Sequence, residues 1–318
     1  METQTPILTV TLNPAVDVAT SVAQVIAGPK LRCSQPRFDP GGGGVNVART
    51  ISRLGGDAKA LVAVGGAMGD RLLDLLAAEA VPTVPVRVLG ETRQSFAVMD
   101  EASTAHYRFS VPGQPMTALD ATALLGAIGQ HCPAGGYLVL SGSLPPGVAD
   151  DYFTEIIAAT RHKSPKVIVD TSGAPLDHLI AHTIAPVHLL RIDQKEASEA
   201  AGYPMRTIAD SVGFAADLVA RGAARTVVTG RGAEGSVLVS EDQRLICHPP
   251  DVPIRSKIGA GDAFVGSMTL ALARQMDPSQ ALQWGVAAAS ATVSTDGTAL
   301  CDADTASARF KQCRIEPL

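Results

Sequence analysis

The chain has 318 residues, 46% of them hydrophobic but only 4% aromatic, so Ala, Val and Leu must fill a core large enough for one sizeable α/β unit. The formal charge of −5 comes with no basic stripe, which argues against nucleic acid as a partner. The five cysteines (Cys33, Cys132, Cys247, Cys301, Cys313) are scattered, with no Cys-x-x-Cys pair, which argues against a disulfide framework or a zinc site. The polar start at 1–6, the short apolar run at 7–12 and the lack of any membrane-length apolar run predict a cytoplasmic protein with no membrane partner.

From the N-terminus, residues 7–12 predict a buried strand ended by Asn13-Pro14. Residues 15–39 mix β-like stretches with Gly28, Pro29 and Pro36 and lack a helical period. Residues 45–54 predict a helix with Val45, Val47, Ala48, Ile51 and Leu54 on one side, followed by a strand at 58–64 and a helix at 72–80. Residues 86–112 again read as extended hairpins, with strands at 95–99 and 106–111 around a polar turn. Beyond them, strands at 137–141, 167–170, 188–192 and 225–229 alternate with helices at 118–131, 150–162, 194–201 and 209–221. A strand at 236–240 and final helices at 261–275 and 278–294 complete the pattern.

This alternation implies an α/β fold, a mainly parallel sheet with helices on both faces. The segments 15–39 and 86–112 interrupt it and are expected to pair into one small sheet, a lid over the carboxyl ends of the strands where ligands sit in such folds. The whole, 1–318, reads as one domain.

The strongest motif is Gly259-Ala260-Gly261-Asp262, running into an apolar helical pattern. Bare N–H groups at a helix N-terminus bind anions, and a carboxylate beside them takes a proton from a hydroxyl, as phosphoryl transfer to an alcohol requires. The same residues also suit a plain turn with an acid favourable to the helix dipole. Gly41-Gly42-Gly43-Gly44 leads into Asn46, either a close approach to ligand hydroxyls or a flexible loop and cap. Asp17, just past the first strand, accepts sugar hydroxyls or caps a turn.

Lys30, Arg32, Arg93 and Arg108 all fall in the β-rich segments, where they hold a phosphorylated substrate or are simply solvated. Asp193 and Glu196, three apart at a helix start, hold Mg²⁺ through water or form an acidic first turn. The run Gly230-Arg231-Gly232-Ala233-Glu234-Gly235 matches Gly-x-Gly-x-x-Gly, but a strand follows. That rejects a Rossmann dinucleotide site and leaves a glycine turn beside nucleotide phosphates. Neither a Walker A sequence nor a Gly-x-Ser-x-Gly elbow occurs.

Taken in order, these segments resemble the PfkB/ribokinase family of sugar kinases over essentially the whole chain, and within it the type-2 bacterial 6-phosphofructokinases. The resemblance rests on residues 11–17, Lys30-Leu31-Arg32-Cys33, 41–49, Thr92-Arg93-Gln94, Tyr107-Arg108-Phe109, 141–147, 170–173, 194–196 and 259–262. It implies a ribokinase-like three-layer α/β/α core with a β-sheet lid, and ATP-dependent phosphorylation of fructose 6-phosphate at its C1 hydroxyl.

The residue roles follow from the same likeness. Asp262 is implied as general base and the Gly259, Ala260 and Gly261 amides as the anion hole. Asp17, Gly42, Gly43 and Asn46 are implied to hold the sugar, Arg93 and Arg108, with Lys30 and Arg32, its phosphate end, and Ser143 to contact the same substrate. Glu196 and Asp170 are implied to organise Mg²⁺. The nucleotide side is assigned Arg191, Asp193, Thr229, Gly230, Gly232, Gly235, Lys257 and Ala288. Relatives also dimerise through their lids. Lysine at 257 replaces the family's Thr or Ser, so its ammonium is expected to stand in for a bound K⁺. Tagatose-6-phosphate kinase and 1-phosphofructokinase are the alternatives, but those carry Gly-Lys-Gly where this chain has only glycines at 41–44. A non-catalytic sugar-phosphate sensor is the rival from outside the enzymes.

Overall fold

The computed structural model describes residues 3–182 and 184–318; the first two residues of the polar N-terminal segment lie outside them. The chain runs β1 (Ile7–Thr11), β2 (Ala15–Val22), β3 (Arg37–Gly41), α1 (Gly43–Arg53), β4 (Lys59–Val64), α2 (Gly66–Ala78) and β5 (Thr83–Arg87). It continues through β6 (Arg93–Asp100), β7 (His106–Ser110), α3 (Ala118–His131), β8 (Tyr137–Ser141), α4 (Tyr152–Thr160), β9 (Lys166–Asp170) and α5 (Ala174–Ala181). Then come β10 (Leu189–Asp193), α6 (Gln194–Ala201), α7 (Ile208–Ala220), β11 (Thr226–Gly230), β12 (Ser236–Ser240) and β13 (Arg244–His248). The chain closes with α8 (Ala260–Ala273), α9 (Pro278–Val293), α10 (Ala303–Phe310) and β14 (Arg314–Pro317).

Among the described residues, one 10-stranded sheet runs in the order β14-β13-β12-β11-β10-β9-β8-β1-β4-β5. It is parallel from β5 to β11 and antiparallel from β11 to β14. Side chains alternate across each strand, so both faces are covered. On β1, Leu8 and Val10 join the core beneath α3 to α7, while Ile7 joins the core beneath α1, α2, α8 and α9.

Two close approaches bring the chemistry together. Gly44 lets α1 settle on β1, since a Cβ there would lie 2.6 Å from Thr11 Oγ1. Gly266 does the same between α8 and α1, where a Cβ would lie 2.8 Å from the Val47 carbonyl.

The second sheet has the order β3-β2-β6-β7 and joins the two β-rich segments through the parallel pair β2–β6. Residues 86 and 87 nevertheless belong to the large sheet, because β5 pairs with β4 and the small sheet begins at Arg93. Helix α2 starts six residues before the expected 72, because the distant Glu91 carboxylate accepts the Met68 N–H at 2.7 Å and so caps its first turn. Helix α5, strand β13, helix α10 and strand β14 were absent from the sequence expectation, so 278–294 is not the last helix. No helix of the described residues is long and apolar enough to cross a membrane.

Candidate active site

Helices α3, α6, α7, α9 and α10 are each capped by a side chain of their own N-cap residue. Helices α1 and α8 are not; they begin after Gly42 (φ 112°) and Gly259 (φ 75°), both left-handed positions that suit glycine. Free amides and the positive end of the α8 dipole therefore edge a cleft at the carboxyl ends of the strands. Its cavity of about 210 Å³ is lined by Gly142, Ser143, Asp170, Arg191, Glu196 and Asp262, with Gly259 and Gly261.

Asp262 sits half-buried in the first turn of α8. Its Oδ2 accepts the Asn46 Nδ2–H at 2.8 Å, and Oδ1 has no hydrogen-bond partner among the described residues. Burial, then the charge of Asp170, push its pKa up to about 7, against the pull of Asn46 and Arg191. A carboxylate in that range is suited to act as a base near neutral pH.

Arg191 spans the floor. It donates to Asp170 Oδ1 at 3.1 Å, and a Cβ on Gly261 would lie 3.2 Å from its guanidinium. The cation thus lies against the uncapped amides, and the two together favour an anion there.

The lid brings further charges near this cleft, for Asp17 on β2 acts on Asp262. Register places Ala15 beside Arg93, Asp17 beside Ser95, and Ala97 beside Arg108. Asp17, Arg93 and Arg108 therefore share one face of the small sheet. Burial pushes Asp17 up to about 6, against the pull of Arg93, Arg49 and Arg108. Arg93 is aimed by Asn13, whose carbonyl and Oδ1 accept its Nε–H at 3.3 and 3.1 Å, while Asn13 Nδ2 donates to Ser143 Oγ at 3.1 Å. Sequence reasoning saw Asn13 only as a strand terminator; no local signal links it to a residue 80 positions away.

Several expected residues fall elsewhere. Lys30 and Arg32 lie exposed on the loop between β2 and β3, and no contact among the described residues ties them to the cleft. Thr229 is fully buried, and its hydroxyl has no hydrogen-bond partner among the described residues. Ala288 packs with Ala263, Ala291, Cys301 and Ala306 as core. Gly235 is required by packing, because a Cβ there would collide with the Cys247 carbonyl. Gly232 is an exposed turn glycine with φ 60°. Lys257, though exposed, stays two residues from Gly259, the N-cap of α8. Gly230 stays at the cleft, where a Cβ would meet Arg191 at 3.4 Å.

Asp193 and Glu196 cap α6 reciprocally: the Asp193 N–H donates to Glu196 Oε2 at 2.7 Å, and the Glu196 N–H to Asp193 Oδ1 at 2.8 Å. Among the described residues no three acids, histidines or cysteines cluster as a direct metal cage. Yet burial pushes Glu196 up to about 7 even against the Asp193 hydrogen bond, and the charges of Asp193 and Asp170 add to that rise. A carboxylate short of positive charge beside an open cavity fits Mg²⁺ held largely through its waters.

The sequence profile of pfkB family carbohydrate kinases matches residues 11–306. The chain is 40% identical over 298 residues to the ATP-dependent 6-phosphofructokinase isozyme 2 of Escherichia coli (strain K12), covering 94% of this chain and 96% of that one. It is 32% identical over 266 residues to the 1-phosphofructokinase of Xanthomonas campestris pv. campestris, covering 83% of each. The crystal structure of phosphofructokinase-2 from Escherichia coli in complex with potassium superposes with a TM-score of 0.92 at 38% identity, over 97% of this chain and 99% of that one.

Proposed function

Because this chain belongs to the pfkB family of carbohydrate kinases, we propose that its cleft transfers the γ-phosphoryl group of ATP to the C1 hydroxyl of fructose 6-phosphate. It is a phosphotransferase with an alcohol acceptor. The observation that carries it is the placement of Arg93 and Arg108 beside Asp17 on one lid face, with Asp17 in electrostatic reach of Asp262. Two arginines suit a phosphate already on the sugar, and Asp17 suits its hydroxyls. The likeness to isozyme 2 and the lysine-free glycine run at 41–44 favour the 6-phosphate.

The steps follow from the residues. Asp262 Oδ1 takes the proton of the C1 hydroxyl, and that oxygen bonds to the γ-phosphorus as the bond to the β-phosphate bridge breaks and ADP leaves. The amides of Ala260 and Gly261 and the Arg191 guanidinium stabilise the charge on the transferring group. Glu196 and Asp170 would hold the waters of Mg²⁺, which when bound neutralises the phosphate oxygens. The lid excludes water from the reaction.

A coupled assay for ADP on fructose 6-phosphate, tagatose 6-phosphate and fructose 1-phosphate, with ATP, GTP or pyrophosphate, tests this reading. Fructose 6-phosphate with ATP is expected to give the highest kcat/KM. Preference for another sugar phosphate moves the assignment to the matching kinase, and tight binding without turnover turns it to the sensor.

The outer lid face carries Phe38, Phe96, Tyr107 and Phe109, all exposed, on alternate residues of neighbouring strands. Such an apolar patch suits burial against the lid of a second copy. Lys257, two residues before the anion turn, supplies a fixed positive charge in place of K⁺. Activity is expected to be unchanged when K⁺ is replaced by a bulky organic cation; strong K⁺ activation rejects the substitution.

A further inference from the structure

Among the described residues, one of the largest fully buried side chains is charged: Arg49, 1% exposed, on α1 three residues after Asn46. Its Nη1 donates to Asn46 Oδ1 at 3.0 Å and to the Pro40 carbonyl at 2.9 Å. Its other edge forks onto Glu79, with Nε 3.0 Å from Oε2 and Nη2 2.6 Å from Oε1. Glu79 is the C-cap residue of α2. Against the burial that would raise it, Arg49 and Arg53 hold its carboxyl below the ordinary range. Apolar side chains of similar volume would fill such a site without the desolvation penalty of an ion pair. A buried guanidinium with every edge committed therefore calls for a reason beyond packing.

The reason lies in the amide it contacts. A guanidinium only donates, so it fixes the Asn46 oxygen on its own side and turns the Asn46 N–H₂ toward Asp262. Reversed, the amide would present its oxygen to a carboxylate and repel it. The other charged groups acting on Asp262 are Asp170 on β9, Arg191 on β10 and Asp17 on β2; only the Asn46 amide hydrogen-bonds it among the described residues. The same guanidinium grips Pro40 in β3, at the root of the lid.

We propose that Arg49, clamped by Glu79, is a positioning residue for phosphoryl transfer: it locks the Asn46 amide so that Asp262 keeps one oxygen hydrogen-bonded and the other aimed at the acceptor hydroxyl. This rests on the reading of Asp262 as the base. A rotameric lock made through Asn46 has a consequence that plain structural support does not: without Asn46, Arg49 has nothing left to orient.

The test is a double-mutant cycle on kcat with fructose 6-phosphate and ATP, using Arg49→Lys and Asn46→Ala. Lysine keeps the charge against Glu79 but cannot hold Glu79 and Asn46 together. Arg49→Lys is expected to lower kcat about 10-fold in the native background, with KM for both substrates little changed, and less than about 2-fold in the Asn46→Ala background, as for contacting residues that couple. Equal losses in both backgrounds overturn the proposal and leave Arg49 as structural support only. Glu79→Gln, which retains volume and one acceptor, serves if Arg49→Lys does not fold; it is expected to lower kcat in the native background and not in Asn46→Ala. Absence of turnover in the unmutated protein on every sugar phosphate would instead overturn the proposed function, so the two failures are distinct.

Discussion

Asp262→Asn is expected to lower kcat by about 10²–10⁴-fold, the usual effect of losing a positioned acid–base group, while fructose 6-phosphate binding changes little. The asparagine keeps the shape and can still accept from Asn46, but it cannot take the hydroxyl proton. In the unsubstituted protein kcat/KM should fall as pH drops through about 7, the value to which burial and Asp170 raise this carboxyl. The same shift makes a stability claim of opposite sense. A carboxyl whose pKa rises on folding costs native stability as pH climbs from its ordinary 3.8 through about 7. Asp262→Asn removes that cost, so its melting midpoint should exceed the parent's by a margin that grows across this window and then levels off. A thermal melt series at stepped pH, run beside the kinetics, checks both. Near-parental turnover in the variant would reject Asp262 as the base. An activity loss coupled to a stability gain is the signature of a strained functional group rather than of damaged packing.

Much of the fold was legible because its signals are local. Helix α6 falls where expected, at 194–201, since Asp193 and Glu196 form a capping box within one turn. Strand β12 falls at 236–240, since Val237, Leu238 and Val239 form a short buried run behind a glycine turn. What escaped was set by distance. Strand β14 is an edge strand whose partner β13 lies far away in sequence, as in the pair Cys247 and Ile315. Helix α10 is short and polar, with only Ala306 fully buried, so it carries little amphipathic pattern.

The site divides in the same way. The glycines at 41–44 and 259–261 declare themselves because a missing Cβ is a property of one position, and the cleft forms around them. Asp170, Arg191, Glu196 and Asp262 line it, Asn46 hydrogen-bonds Asp262, and Asp17, with Arg93 acting on it, bears on Asp262 through its charge. The groups that aim them do not announce themselves. Arg49 reads in the sequence as the tail of a glycine motif, and its clamp, Glu79, is 30 residues away. Arg37 on the lid donates to Thr298 Oγ1 across 261 residues, and Thr298 in turn hydrogen-bonds Asp39. On the nucleotide side, packing accounts for Gly235 and Ala288, whereas Thr229 carries a buried hydroxyl with no partner among the described residues, and a motif match cannot separate a buried hydroxyl from one that faces a ligand.

The second large effect separates phosphate recognition from lid architecture. Arg93→Met is expected to raise KM for fructose 6-phosphate about 30-fold, about 2 kcal/mol, as for a hydrogen bond to a charged group. Arg93 also holds Asn13, Ser95 and Ser110, so part of any loss could be structural. Arg108 supplies the control: it is exposed on β7, has no ion pair among the described residues, and still bears on Asp17. Arg108→Ala should therefore raise KM with no change in melting midpoint. Unphosphorylated fructose at high concentration completes the comparison. If both arginines grip the existing phosphate, each substitution lowers kcat/KM for fructose 6-phosphate and leaves the slow reaction with fructose unchanged. Loss of activity in equal proportion on the two sugars would mean that the arginines shape the lid rather than bind the phosphate, and the assignment of a phosphorylated acceptor would fall with them. Rising salt should weaken fructose 6-phosphate binding more in the parent than in the doubly substituted protein, because exposed charges at the mouth of the cleft are screened by added ions.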